Sequence, residues 1–153
     1  MPTVRFAYRH YPLYQKQGHE NALLASILSE YAAEKGKFWE FIEGVMQGNP
    51  EDYATSDPLF RILTQLGLDA EDARKRAPME DDPIFTRVYS DLELANQIGI
   101  AVTPTFYVIA KGLPPKIVGF QELEPLLNQP EYQALIVKPS GDGPLAPMSP
   151  DGP

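Results

Sequence analysis

Apolar and polar residues alternate at the start of the chain, with Val4, Phe6 and Tyr8 set against Arg5, Ala7 and Arg9. Period two predicts a strand with one face buried, ending at Tyr11-Pro12. From His19 the spacing becomes helical, through Leu24, Ile27, Leu28, Tyr31 and Ala32, and Gly36 supplies the stop. A second helix is predicted from Phe38 to Gln47. The segment GNPEDYATSDP is turn chemistry, and it closes on Asp57-Pro58, where an Asp cap and a proline at the first helical position open LFRILTQLG. Asp82-Pro83 repeats the device and opens a helix with Phe85, Val88, Leu92, Ala95 and Ile98 on one side, stopping at Gly99. Thr105 to Ala110 is apolar at nearly every position, the pattern of a strand covered on both faces. KGLPP then turns the chain into KIVGF, so the two runs form a hairpin. The last helix spans Glu122 to Val137, with Pro125 suited to its first turn and Pro130 breaking or kinking it.

This order is α/β, with a helical insertion and a final hairpin. Residues 138–153, PSGDGPLAPMSPDGP among them from Pro139, cannot bury apolar surface and are predicted to be a disordered tail. The remaining 3–137 form one domain. There are no internal repeats.

Composition narrows the functional classes. At 153 residues and 43% apolar the chain is large enough for a real core. No window approaches a membrane span and no signal-peptide pattern opens the chain, so the expectation is a soluble, unexported protein with no membrane partner. A net charge of −8 gives no electrostatic reason to bind nucleic acid, itself a polyanion. With zero cysteines there is no disulfide, thiolate nucleophile or zinc–thiolate site.

Candidate chemistry is thin. His10 and His19 are the two histidines, and without cysteine or an HExxH spacing they make a weak metal case, so no metal and no cofactor is expected. Glu80 to Asp82 could recruit a hard cation, but a helix cap with first-turn charge accounts for it better. Phe38 and Trp39 lie at helical spacing beside Ile42 and read as core. No serine sits in a GxSxG turn, and there is no GxGxxG or phosphate-binding loop.

Three stretches together carry a family resemblance: VRFAYRHYPL, HENALLASILSEYAAEKGKFWEF and DLELANQIGIAVTPTFYVI. Over roughly Val4 to Phe120 the chain resembles the DsbA-like branch of the thioredoxin superfamily. The resemblance implies a thioredoxin-like fold with a helical insertion, lacking the amino-terminal strand and the helix that bears Cys-x-x-Cys. It also implies that Pro104 is cis and that Val102, Thr103 and Pro104 shape a groove for a protein or peptide substrate. By family the activity would be protein disulfide exchange, which a cysteine-free chain cannot perform, so no catalytic residue is assigned. The alternatives are a non-catalytic peptide-binding or oligomerising module built on that groove and, more weakly, a glutathione-transferase-like relative. Loss of a central strand would remove about ten hydrogen bonds at ~1 kcal/mol each, enough to favour a homodimer or strand-exchanged oligomer. Compartment is left open, since the family is mostly periplasmic or extracytoplasmic and this chain has no export signal.

Overall fold

The computed structural model describes residues 4–136 and divides into two compact units. One holds residues 9–98, and the other holds the described residues 4–8 and 99–136. The regular elements of the first are all helical, and the second carries a two-stranded sheet followed by helices.

In the helical unit, α1 (Ala22–Glu34), α2 (Phe38–Gln47), a 3-10 turn (Pro50–Ala54), α3 (Asp57–Gln65), α4 (Ala70–Arg76) and α5 (Pro83–Gln97) follow in order. α1 ends where the apolar period does. Gly36 at φ +69° lets the Lys37 N–H reach the Ala32 carbonyl at 2.8 Å and its own N–H reach Ala33 at 2.9 Å, a left-handed closure that a Cβ would strain. Ile27, Leu28, Tyr31 and Ala32 of α1 are buried with Phe41 of α2, Leu59, Phe60 and Leu63 of α3, Ala73 of α4, and Ile84 and Val88 of α5. Gly44 lets α2 approach α3 closely: a Cβ there would stand 2.9 Å from Ile62 Cγ2.

Four expectations are corrected in this unit. Ser56, not Asp57, is the residue before α3, and Asp57 is its first helical residue. α4 was not foreseen; it starts because Asp69 accepts hydrogen bonds from the Glu71 and Asp72 N–H groups, and it is too short to show an apolar period. The buried stripe of α5 is Ile84, Val88 and Asp91, whereas Ile98 is exposed. Trp39 is 52% exposed and Phe41 is fully buried, so the core aromatic of α2 is the one facing α1 and α3.

In the other unit, β1 (Thr105–Val108) pairs antiparallel with β2 (Lys116–Gly119), Thr105 opposite Gly119 and Val108 opposite Lys116. α6 (Phe120–Leu127) packs on this hairpin, and α7 (Pro130–Gln133) follows it. The Glu122 carboxylate accepts the Gly119 N–H at 2.9 Å and so satisfies one donor at the start of α6. Among the described residues of this unit, Leu126 and Tyr132 are the buried apolar ones. The expected single final helix is two, because Pro130 cannot continue α6 and instead begins α7; Pro125 lies inside α6 rather than in its first turn.

The doubly covered strand is also corrected. Phe106 and Val108 are half-buried, while Tyr107 and Ile109 are exposed, Ile109 by 77%, because α6 covers one face of a two-stranded ribbon. Residues 4–8 are not in a strand, and Val4, Phe6 and Tyr8 are exposed despite their alternation. Alternation licenses a strand only where a ladder exists to join. The predicted tail at 138–153 lies outside the described residues.

Phe41→Ala should cost about 3–5 kcal/mol by opening the centre of the helical core, and Trp39→Ala should cost under about 1 kcal/mol. Urea unfolding followed by circular dichroism separates the two; equal costs would mean that the aromatic assignment is wrong.

Candidate functional site

The charged side chains of the helical unit concentrate along one line. Arg9 Nη1 donates to Asp91 Oδ1 at 2.9 Å, and the His10 backbone N–H donates to Asp91 Oδ2, also at 2.9 Å. His10 Nε2 lies 2.9 Å from Glu30 Oε1. Arg87 Nη1 bridges Glu30 Oε2 at 3.4 Å and Glu34 Oε1 at 3.7 Å. Arg76 continues the line, with Nη1 2.8 Å from Glu34 Oε2 and Nε 2.7 Å from Asp82 Oδ2. Charges of alternating sign thus run from residues 9–10 across α1 and α5 to the end of α4.

Local structure explains each placement. Glu30 and Glu34 are one helical turn apart and share a face of α1. Arg76 stands in the last turn of α4, where a cation meets the helix dipole favourably. Asp82 caps α5 by accepting the Ile84 N–H at 3.0 Å with Oδ1, and Arg76 Nη2 reaches the same oxygen at 2.8 Å. Asp91 replaces an apolar residue on the buried stripe of α5, so it needs the two donors it receives from Arg9 and His10.

The environment tunes these groups. Burial raises the Glu30 carboxyl, but His10 and Arg87 more than offset it and leave its pKa below the ordinary value. Arg76 beside Asp82 holds that carboxyl low, and Asp82 and Glu34 together raise Arg76. Burial, and then the hydrogen bond to Asp72 Oδ2 at 2.9 Å, pushes the Tyr31 hydroxyl up to about 12.

His10, weighed in the sequence only as a weak metal candidate, is 2% exposed and is the one imidazole in this line. His19 lies apart in an exposed turn, its N–H donating to the Lys16 carbonyl. Among the described residues no group of three or more His, Asp or Glu could hold a metal ion. Glu80 is exposed, and Asp82 serves α5 and Arg76. In the other unit, Val102, Thr103 and Pro104 form an exposed bend before β1, with the Thr103–Pro104 bond cis and Thr105 Oγ1 donating to the Val102 carbonyl at 2.6 Å. Sequence reasoning missed Glu30, Arg76, Arg87 and Asp91. Only Asp91 left a signal, as a carboxylate at positions i+3 and i+7 from the apolar Val88 and Ile84.

What these features define is a set of short amphipathic helices clasped by ion pairs, accompanied by a small sheet unit. The chain is 31% identical over 103 residues to a Mycolicibacterium vanbaalenii protein named Na(+)/H(+) antiporter NhaA 1, covering 67% of this chain and 16% of that protein. It is 32% identical over 106 residues to Na(+)/H(+) antiporter NhaA 3 of Salinispora tropica, covering 69% of this chain and 15% of that one. A Nitrosospira multiformis protein named Na(+)/H(+) antiporter NhaA is 32% identical over 107 residues, covering 69% and 16%. The chain thus spans about one sixth of the length of these curated relatives. No family model and no solved structure matches it.

These relatives correct the sequence reading. They bear the name of a cation–proton antiporter, not of a DsbA-like oxidoreductase, and neither the peptide-binding module nor the glutathione-transferase-like relative agrees with that name. The exclusion of a membrane partner is overturned as well, because the relatives are named Na(+)/H(+) antiporters, and the homodimer, strand-exchanged oligomer and peptide substrate gain no support. The physical reason for the error is that the resembling stretches specify helices, turns and a hairpin, whereas disulfide exchange resides in thiols that this chain does not contain.

Glu30 and Asp82 have folded-state pKa values below their ordinary ones, so their stabilisation is present above the unfolded carboxylate range and is lost as pH falls through the folded values. Urea midpoints should therefore decline on acidification below about pH 4. Arg76→Met should lower stability at pH 7 by about 1.5–3 kcal/mol and flatten that decline. An unchanged acid limb in the variant would remove Arg76 from its assigned place.

Proposed function

We propose that this chain is a non-spanning module that works alongside the membrane portion of a Na+/H+ antiporter-type protein and does not itself carry ions across the bilayer. The similarity over two thirds of the chain supports the association. The observation that carries the division of labour is the build of the helices. α5, the longest described, has 15 residues and so extends about 22 Å, short of the ~30 Å hydrocarbon core. Among the described residues no helix is long and apolar enough to cross a membrane. Each described helix of the helical unit buries one stripe and turns charge outward, as at Arg74 and Lys75 of α4 or Glu40 and Glu43 of α2. Such a surface is hydrated at no cost beside a bilayer and is expensive inside it.

For architecture, the thioredoxin-like arrangement without its amino-terminal strand is retained as a proposal, supported by the order of helices, hairpin and closing helix. That proposal concerns chain path only and brings no activity with it.

Deleting the stretch of the Mycolicibacterium vanbaalenii antiporter that matches this chain tests the reading in vesicles. Membrane insertion and Na+-driven proton exchange should survive, with the rate within about threefold of the intact protein, while the pH or Na+ dependence of exchange shifts. Failure to insert, or exchange reduced to background in an inserted protein, would mean that the segment belongs to the transport machinery. Intact rates with unshifted pH and Na+ dependence would mean that it has no working relation to transport.

A further inference from the structure

The line of ion pairs contains four carboxylates, Glu30, Glu34, Asp82 and Asp91, against three guanidiniums, Arg9, Arg76 and Arg87. A guanidinium keeps its charge at any physiological pH and an imidazole does not. Among the described side chains of this line, His10 supplies the fourth positive charge, and only when it is protonated. His10 is also where residues 9–11 are fastened, since its ring meets Glu30 on α1 and its backbone N–H meets Asp91 on α5.

We propose that His10 and Glu30 form a proton-operated clasp: with the imidazole protonated, residues 9–11 are held on α1 and α5, and deprotonation loosens them. Among the described contacts, Glu30 of α1 meets the ring at Nε2 and the Phe38 ring of α2 lies edge-on with its centroid 6.2 Å away, while Arg87 of α5 shares the Glu30 carboxylate and Asp91 of α5 accepts the His10 backbone N–H. Protonation makes the Glu30 contact a charge-assisted hydrogen bond and balances the line; loss of the proton leaves a neutral donor or acceptor beside a carboxylate still engaged by Arg87. The charge-assisted bond is the stronger of the two, by a factor that corresponds to about five- to tenfold in the closed-to-open ratio. Pro12 follows immediately and is buried, so the segment leads into a fixed point and the loosening stays local. The inference goes beyond the proposed function and stands on this chain alone.

Amide exchange of the full chain, expressed as protection relative to the intrinsic rate at each pH, reads the clasp directly. The Ile84 N–H, bonded to Asp82 in the same way but distant in sequence from His10, is the internal reference. Between about pH 5 and 8 the protection of the His10 N–H should fall some five- to tenfold, tracking titration of its ring by NMR, while that of Ile84 stays constant. His10→Gln should abolish the pH dependence at position 10, and Glu30→Gln should remove it while leaving the ring titratable, so a folding failure in one variant leaves the other decisive. Protection at residue 10 that is flat across this range in the wild-type chain, or that falls equally in Glu30→Gln, would overturn the proposal.

Discussion

Burial of α1 is the constraint on which the helical unit depends. Its stripe of Ile27, Leu28, Tyr31 and Ala32 is closed by α2, α3 and α5. A single amphipathic helix of 13 residues has little stability in water, so it persists because its neighbours remove that stripe from solvent. Ser29 is fully buried on the same helix, and its hydroxyl donates to the Ser26 carbonyl at 2.7 Å, so a polar atom enters the core satisfied.

Ion pairs edge this core rather than create it. Exposed pairs are worth little individually, but Arg76 and Glu30 each have more than one partner and are largely shielded from water. Removing one member therefore strands others. The geometry makes the line a structural clamp that ties residues 9–10 and the end of α4 to α1 and α5.

The resemblance to an oxidoreductase family and the similarity to antiporter-named proteins draw on different information. The former follows local patterns of helices, a Thr-Pro before a strand and a Gly-Lys-Phe-Trp turn. The latter follows residue identities over a stretch that is about one sixth of much longer proteins. Local patterns specify chain path, and function belongs to groups grafted on it, which is why the two point to different activities.

What the sequence determined by itself was local: the span of α2, the stop of α1 at Gly36, the Asp82-Pro83 opening of α5, the hairpin, and the break at Pro130. Each is set by a few adjacent residues through φ limits, a missing N–H or a capping oxygen. Tertiary structure decided the rest. Val4, Phe6 and Tyr8 alternate without forming a strand, since pairing needs a partner that period two cannot name. Phe41 rather than Trp39 is buried, because both obey the period and only the direction of α1 and α3 chooses between them. His10, Glu30, Arg87 and Asp91 meet across up to 81 residues of sequence, a distance that no spacing rule spans and that packing alone closes.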